Sequence, residues 1–173
     1  GEFLKLYPDV NVRLLLVDRV ANLVEEHIDM AVRIGELPDS SLIAVRVGSI
    51  RRVACASPAY LSARGRPARP SDLSKHDCIA FEGLESGTAW TFRRGKKETD
   101  VAIHPGLVVN TAEAAIDAAL AGLGVTRVLS YQIAEAKRSR LLSILLEKFE
   151  PEPVPVSLVF RADGLLPLKT RAF

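Results

Sequence analysis

The chain has 173 residues, a net charge of +2 and 48% apolar residues, with two cysteines and three histidines. A chain of this length buries about 70% of the surface that its unfolded form exposes, enough for one large domain or two small lobes. No apolar run approaches the roughly 20 residues of a membrane span, two cysteines make no disulfide framework, and the basic residues are scattered rather than striped along one surface.

In chain order, Val12 to Val17 (VRLLLV) is expected as a strand and Arg19 to His27 as a helix, with Leu23 and Val24 inward and Glu25-Glu26 outward. Met30 to Ile34 is a second strand, ended by Gly35. A Pro38-Asp39-Ser40-Ser41 turn leads to an alternating stretch, Leu42 to Val47, and a turn at Gly48-Ser49 leads to an apolar run, Val53 to Ala56. Ser57-Pro58 then opens a helix, because serine caps well and proline suits the first turn, where its missing N–H costs nothing.

Further on, Leu107 to Val109 is expected as a strand and Thr111 to Ala121 as a helix stopped by Gly122 and Gly124. Val125 to Leu129 is another strand. Each half therefore contains a strand-helix-strand unit whose short connection implies a parallel crossover. Open parallel sheets bind ligands at the carboxyl ends of their strands, here after Val17, Ile34 and Val109. Pro151, Pro153 and Pro155 stiffen a return segment before the strand Val156 to Phe160.

The phrases FLKLYPDV (3–10), DMAVRIGELPDSSL (29–42), ASPAYLSARGRP (56–67), DLSKHDCIAF (72–81), AALAGLG (118–124) and FEPEPVPVSLVF (149–160) occur in one order along nearly the whole chain. Together they resemble the effector-binding domain of LysR-type transcriptional regulators. The resemblance implies an α/β, two-lobe periplasmic-binding-protein-like (type 2) fold with a hinge. Lobe I spans 1–54 and 156–173, and lobe II spans 55–155. It also implies that lobe I lacks its opening strand, and that the DNA-binding helix-turn-helix domain lies outside this chain. A small-molecule effector is expected in the cleft between the lobes, and DNA contact only through the missing domain. A homodimer or higher oligomer and a cytoplasmic location complete what the resemblance implies.

The candidate ligand-binding residues follow from these expectations. Asn110 is an expected N-cap, with Glu113 completing a capping-box pattern, and the helix start at Asn110, Thr111 and Ala112 presents N–H groups and a positive dipole end to an anionic or carbonyl-bearing effector. An ordinary cap with no ligand is the competing reading. Asp18 and Arg19 hold the equivalent place in the first half. Arg33, with Ile34 and Gly35 behind it, either clamps an anion or pairs with Asp29 or Glu36. Phe81, Glu82 and Gly83 stand where a strand of the second lobe ends, and Trp90 serves as an apolar wall or as core.

No catalytic, metal-binding or cofactor-binding set is expected. Ser86 lies in G-L-E-S-G, which lacks the nucleophile-elbow spacing. Gly122-Leu123-Gly124 follows a helix rather than opening one. His27, His76 and His104 have no neighbours at metal-ligand spacing. A free solute-binding protein of the same architecture is the alternative to a regulator domain; an export signal or an upstream helix-turn-helix would separate the two.

Overall fold

The computed structural model describes residues 2–17, 19–37, 41–82 and 88–161. Chain packing divides it into two compact units, 1–48 with 155–173, and 49–154.

The first unit opens with α1 (Glu2–Leu6) and contains β1 (Met30–Ile34), most of β2 (Leu42–Ile50) and most of a late strand, Val154–Arg161. Those strands form one sheet in which the late strand lies between β1 and β2. It runs antiparallel to β1, with Arg33 opposite Ser157 and Ala31 opposite Val159. The expected parallel unit of the first half does not form. Residues 12–17 belong to no strand, and Leu14 and Leu16 are 76% and 81% exposed.

The helix expected over Arg19–His27 is replaced by turns, and the local hydrogen bonds explain why. The Asn22 side-chain oxygen accepts from the N–H groups of Val24 (3.1 Å) and Glu25 (3.4 Å), while Glu26 Oε1 accepts from Asn22 N (3.0 Å). Short polar side chains thereby take up N–H groups and favour turn geometry over a continuous helix. Leu23 is buried as expected, but Val24 is exposed.

The second unit begins at the end of β2 and continues through β3 (Arg52–Ala56) into α2 (Pro58–Arg64). Ser57 caps α2, its Oγ accepting from Tyr60 N at 3.4 Å, and Gly65 ends the helix at φ 83°. A 3-10 turn over Pro70–Lys75 precedes β4 (Cys78–Phe81). The hairpin of β5 (Ala89–Arg94) and β6 (Lys97–Ala102) follows, then β7 (Pro105–Val109), α3 (Ala112–Leu120), β8 (Val125–Leu129), α4 (Ala134–Arg138) and β9 (Ser143–Leu145). After a turn over Glu147–Phe149, the late strand already described is β10.

The main sheet of this unit has the order β7-β4-β8-β3-β9. Strands β7, β4 and β8 are mutually parallel, whereas β3 runs antiparallel to β8 and β9. The expected β7–α3–β8 unit is therefore present, with β4 between its two strands. Every residue of β8 is buried, as befits a central strand covered on both faces. One face carries α3 over Val53, Cys55, Ile79 and Val128; the other packs Tyr60, Leu73, Trp90 and Phe92. Trp90 is thus core, which its 3% exposure decides. Cys55 and Cys78 are buried free thiols, both pushed up to about 12 by burial, so neither offers a thiolate near neutrality.

Candidate functional site

Helix α3 owes its start to Thr111 rather than to the expected cap, Asn110. Thr111 is extended (φ −129°, ψ 147°), and its Oγ1 accepts from Ala114 N at 3.2 Å. With the cap one residue later, Glu113 stands too early in the first turn to close a capping box. Ala115 N donates to Thr111 O. Helix geometry leaves the N–H groups of Ala112 and Glu113 outside the intrahelical ladder, directed beyond the helix start.

The parallel register brings further expected residues to the same place. Phe81 pairs with Val109, and Glu82 N donates to Val109 O at 3.0 Å. Glu82 and Asn110 therefore leave adjacent parallel strands side by side. Phe81 and Ala112 are buried beneath them in the core under α3, whereas Glu82, Asn110 and Thr111 are exposed. Phe81, Glu82, Asn110, Thr111 and Ala112 thus form one local cluster of helix N–H groups, a hydroxyl, an amide and a carboxylate. Gly83 and Asp18 lie outside the described residues.

Sequence reasoning passed over Ser130, which follows β8 in the same parallel set. Its N–H donates to Arg51 O at 2.9 Å, and its Oγ accepts from Arg51 N at 3.4 Å. The available signal was a polar residue closing a strand whose side chains are all buried.

In the first unit the expected residues are engaged locally. Arg19 makes a two-pronged contact with Glu26 at 2.6 and 2.7 Å. That guanidinium holds the Glu26 carboxyl down to about 2, by its hydrogen bonds first, with the Asn22 N–H adding to the effect. Arg33 Nη2 donates to Ala21 O at 2.8 Å, a backbone partner in place of the two carboxylates considered. Ile34 ends β1, and Gly35 turns away at φ 124° while donating to Pro155 O at 3.0 Å. Arg33 also borders a cavity of about 540 Å³ within this unit, lined by Asn22, Leu23, Leu42 and Val159.

Among the described residues no group of three or more histidine, cysteine or carboxylate side chains could hold a metal ion. No helix among them is long and apolar enough to cross a membrane.

Comparison with known proteins places this geometry in context. The family model described as the LysR substrate binding domain matches residues 1–173. An uncharacterized HTH-type transcriptional regulator of Escherichia coli, YhjC, is 32% identical over 92% of this chain and 54% of its own length. The chain spans about half the length of the curated relatives it matches. Among solved structures, the regulatory domain of CrgA, a LysR-type transcriptional regulator from Neisseria meningitidis, is 27% identical with a TM-score of 0.85, covering 99% of this chain and 84% of that one. The regulatory domain of AphB from Vibrio vulnificus, treated with cumene hydroperoxide, gives 26% identity and a TM-score of 0.83 over the same shares. The architecture is the two-lobe, type 2 periplasmic-binding-protein-like α/β fold of these regulatory domains, and the chain belongs to the LysR substrate-binding domain family.

Proposed function

We propose that this chain is the effector-sensing module of a transcription regulator, and that the start of α3 binds a polar group of the effector. One observation carries the reading. The register of β4 and β7 sets Glu82 and Asn110 beside a nine-residue helix whose first N–H groups lie outside the helical ladder and whose capping residue, Thr111, is exposed. Such a terminus attracts a carbonyl or an anion. Glu113, in the first turn, and Glu82 beside it add negative charge at the same spot. They favour a carbonyl, hydroxyl or amide over a carboxylate, because like charges at short range oppose one another. Arg33, Ile34 and Gly35 are the first unit's candidates, and Arg19 is a weaker one because Glu26 already occupies both its prongs.

In this reading the two lobes are the compact units 1–48 with 155–173 and 49–154, whose crossings fall a few residues before the expected ones. The module binds rather than transforms its ligand and acts in the cytoplasm. The whole protein self-associates and reaches DNA through a segment outside this chain.

The test begins with a thermal-shift screen against small carbonyl compounds, organic acids, aromatics and amino acids. The ligand found is then titrated against Thr111→Ser and Thr111→Val. A hydrogen bond of about 1.4 kcal/mol corresponds to tenfold in affinity, so valine should weaken binding about tenfold while serine retains it. Equal affinity in Thr111→Val would remove α3 from the site.

A further inference from the structure

The tip of the β5–β6 hairpin reads Arg93-Arg94-Gly95-Lys96-Lys97, four cations in five residues. The two faces of the ribbon treat that charge differently. Successive strand residues point to opposite sides, so Arg93 and Glu98 share one face with Thr91 and Asp100, and Arg94 and Lys97 share the other with Phe92 and Thr99. On the first face the charges are answered. Asp100 accepts from Thr91 Oγ1 at 2.7 Å, and Glu98 stands opposite Arg93. Arg93 is itself paired with Glu152, and its Nε donates to Gly95 O, which braces the turn.

On the second face Arg94 stands directly opposite Lys97, and Lys96 lies in the turn between them. All three are exposed and carry no ion pair among the described residues. The turn Glu147–Phe149 packs on β5, but its Glu147 and the following Glu150 both face Arg51, at 3.9 and 3.0 Å. Like charges directly opposite one another weaken a two-stranded ribbon. The fold therefore gains nothing from this cluster, which suits a partner that brings the missing negative charge.

We propose that the hairpin tip docks on the phosphate backbone of duplex DNA, with Arg94, Lys96 and Lys97 each answering a phosphate. A two-stranded ribbon is narrow enough to lie in a groove of the duplex, which offers one negative charge about every 1.7 Å along its axis. The aromatic side chains of the hairpin, Trp90 and Phe92, are buried, so no base stacks on the tip and the contact is independent of sequence. Because Arg93 fixes the turn, the three cations are presented without the cost of ordering a loop. This contact adds to the one proposed for a segment outside the chain, and it rests on that reading only for bringing DNA within reach.

Fluorescence anisotropy of a labelled duplex of about 20 base pairs, titrated with this chain alone, provides the test. Three neutralised phosphates give a slope of log K against log salt of about −2.7, so affinity should fall about fortyfold between about 50 and about 200 mM salt. Arg94→Gln/Lys96→Gln/Lys97→Gln should bind about tenfold more weakly at the lower salt and lose most of that slope. Lys137→Gln/Arg138→Gln/Arg140→Gln removes the same charge from exposed positions at the end of α4 and should bind as the wild type does. Lys97→Glu should also weaken binding, yet leave the melting temperature unchanged or raised, because it sets opposite charges across the ribbon. Three results would each overturn the proposal: no binding by the wild type, an equal loss in the α4 variant, or displacement of the duplex by polyglutamate charge for charge, which would give the tip to an acidic protein. The effector screen is read without DNA, so the two readings fail separately.

Discussion

Replacing Gly124 by alanine tests how tightly the second unit is closed around its central strand. A Cβ at this position would stand 2.4 Å from Asp77 O and 2.9 Å from Asp77 C, backbone atoms that no rotamer change can move aside. The same Asp77 oxygen accepts from Val125 N at 2.9 Å, the bond that seats the first residue of β8 beside β4. Relief of the overlap must therefore lengthen that bond or displace the start of β4. Losing one buried backbone hydrogen bond costs about 1–3 kcal/mol, and overpacking a rigid site costs about as much again. The expected loss is about 2–6 kcal/mol, read from urea unfolding monitored by Trp90 fluorescence. Gly122→Ala is the control: φ is +80° there, but the new Cβ would approach only Ser57 Oγ, at 3.7 Å. That variant should lose about 1–2 kcal/mol, the ordinary cost of a left-handed non-glycine residue. If Gly124→Ala costs no more than Gly122→Ala, the contact does not have the rigidity assigned to it.

Two further outcomes are expected from side-chain chemistry. Tyr60→Phe removes the hydroxyl that accepts from Asp77 N at 2.9 Å and stands 3.2 Å from His76 Nδ1; unfolding free energy should fall by about 1–2 kcal/mol, and an unchanged urea midpoint would contradict the role given to that hydroxyl. Glu26, held down to about 2 by Arg19, contributes stability that is present above the unfolded carboxyl's pKa of 4.5 and is lost as pH falls through the folded value. Carboxyl chemical-shift titration should place Glu26 low in the wild type and near the ordinary range in Arg19→Ala.

The second unit was legible because its signals are local and agree with one another. Ser57-Pro58 specifies a capped helix start, and Val125–Leu129 is a short apolar run bounded by Gly124 and Ser130. The Ala-rich face over Ala112, Ala115 and Ala119 lets α3 lie close on the sheet. The cap itself was misplaced by one residue, which matters because Asn110 and Thr111 are both good caps and only the backbone conformation separates them. The Arg51–Glu150 link was invisible, since nothing in the sequence ties positions 99 residues apart.

The first unit shows why strand propensity alone is a poor guide. VRLLLV is as strand-like as MAVRI, yet only the latter is a strand, because a strand exists through its pairing and not through its own residues. MAVRI finds β10, a partner from the far end of the chain, in antiparallel register. Residues 12–17 find none among the described residues, and their leucines remain exposed. Arg33 shows the same dependence at the level of a side chain. Its neighbours Asp29 and Glu36 were reasonable partners by sequence, but their spacing from Arg33 along an extended strand gives no guarantee of contact. The turn that replaces the expected helix carries Ala21 O to within 2.8 Å of the guanidinium instead. The residues that decide Arg33's role are thus Asn22 and Glu26, whose short-range hydrogen bonds shape that turn, so a change at Asn22 should reorient Arg33 without touching it.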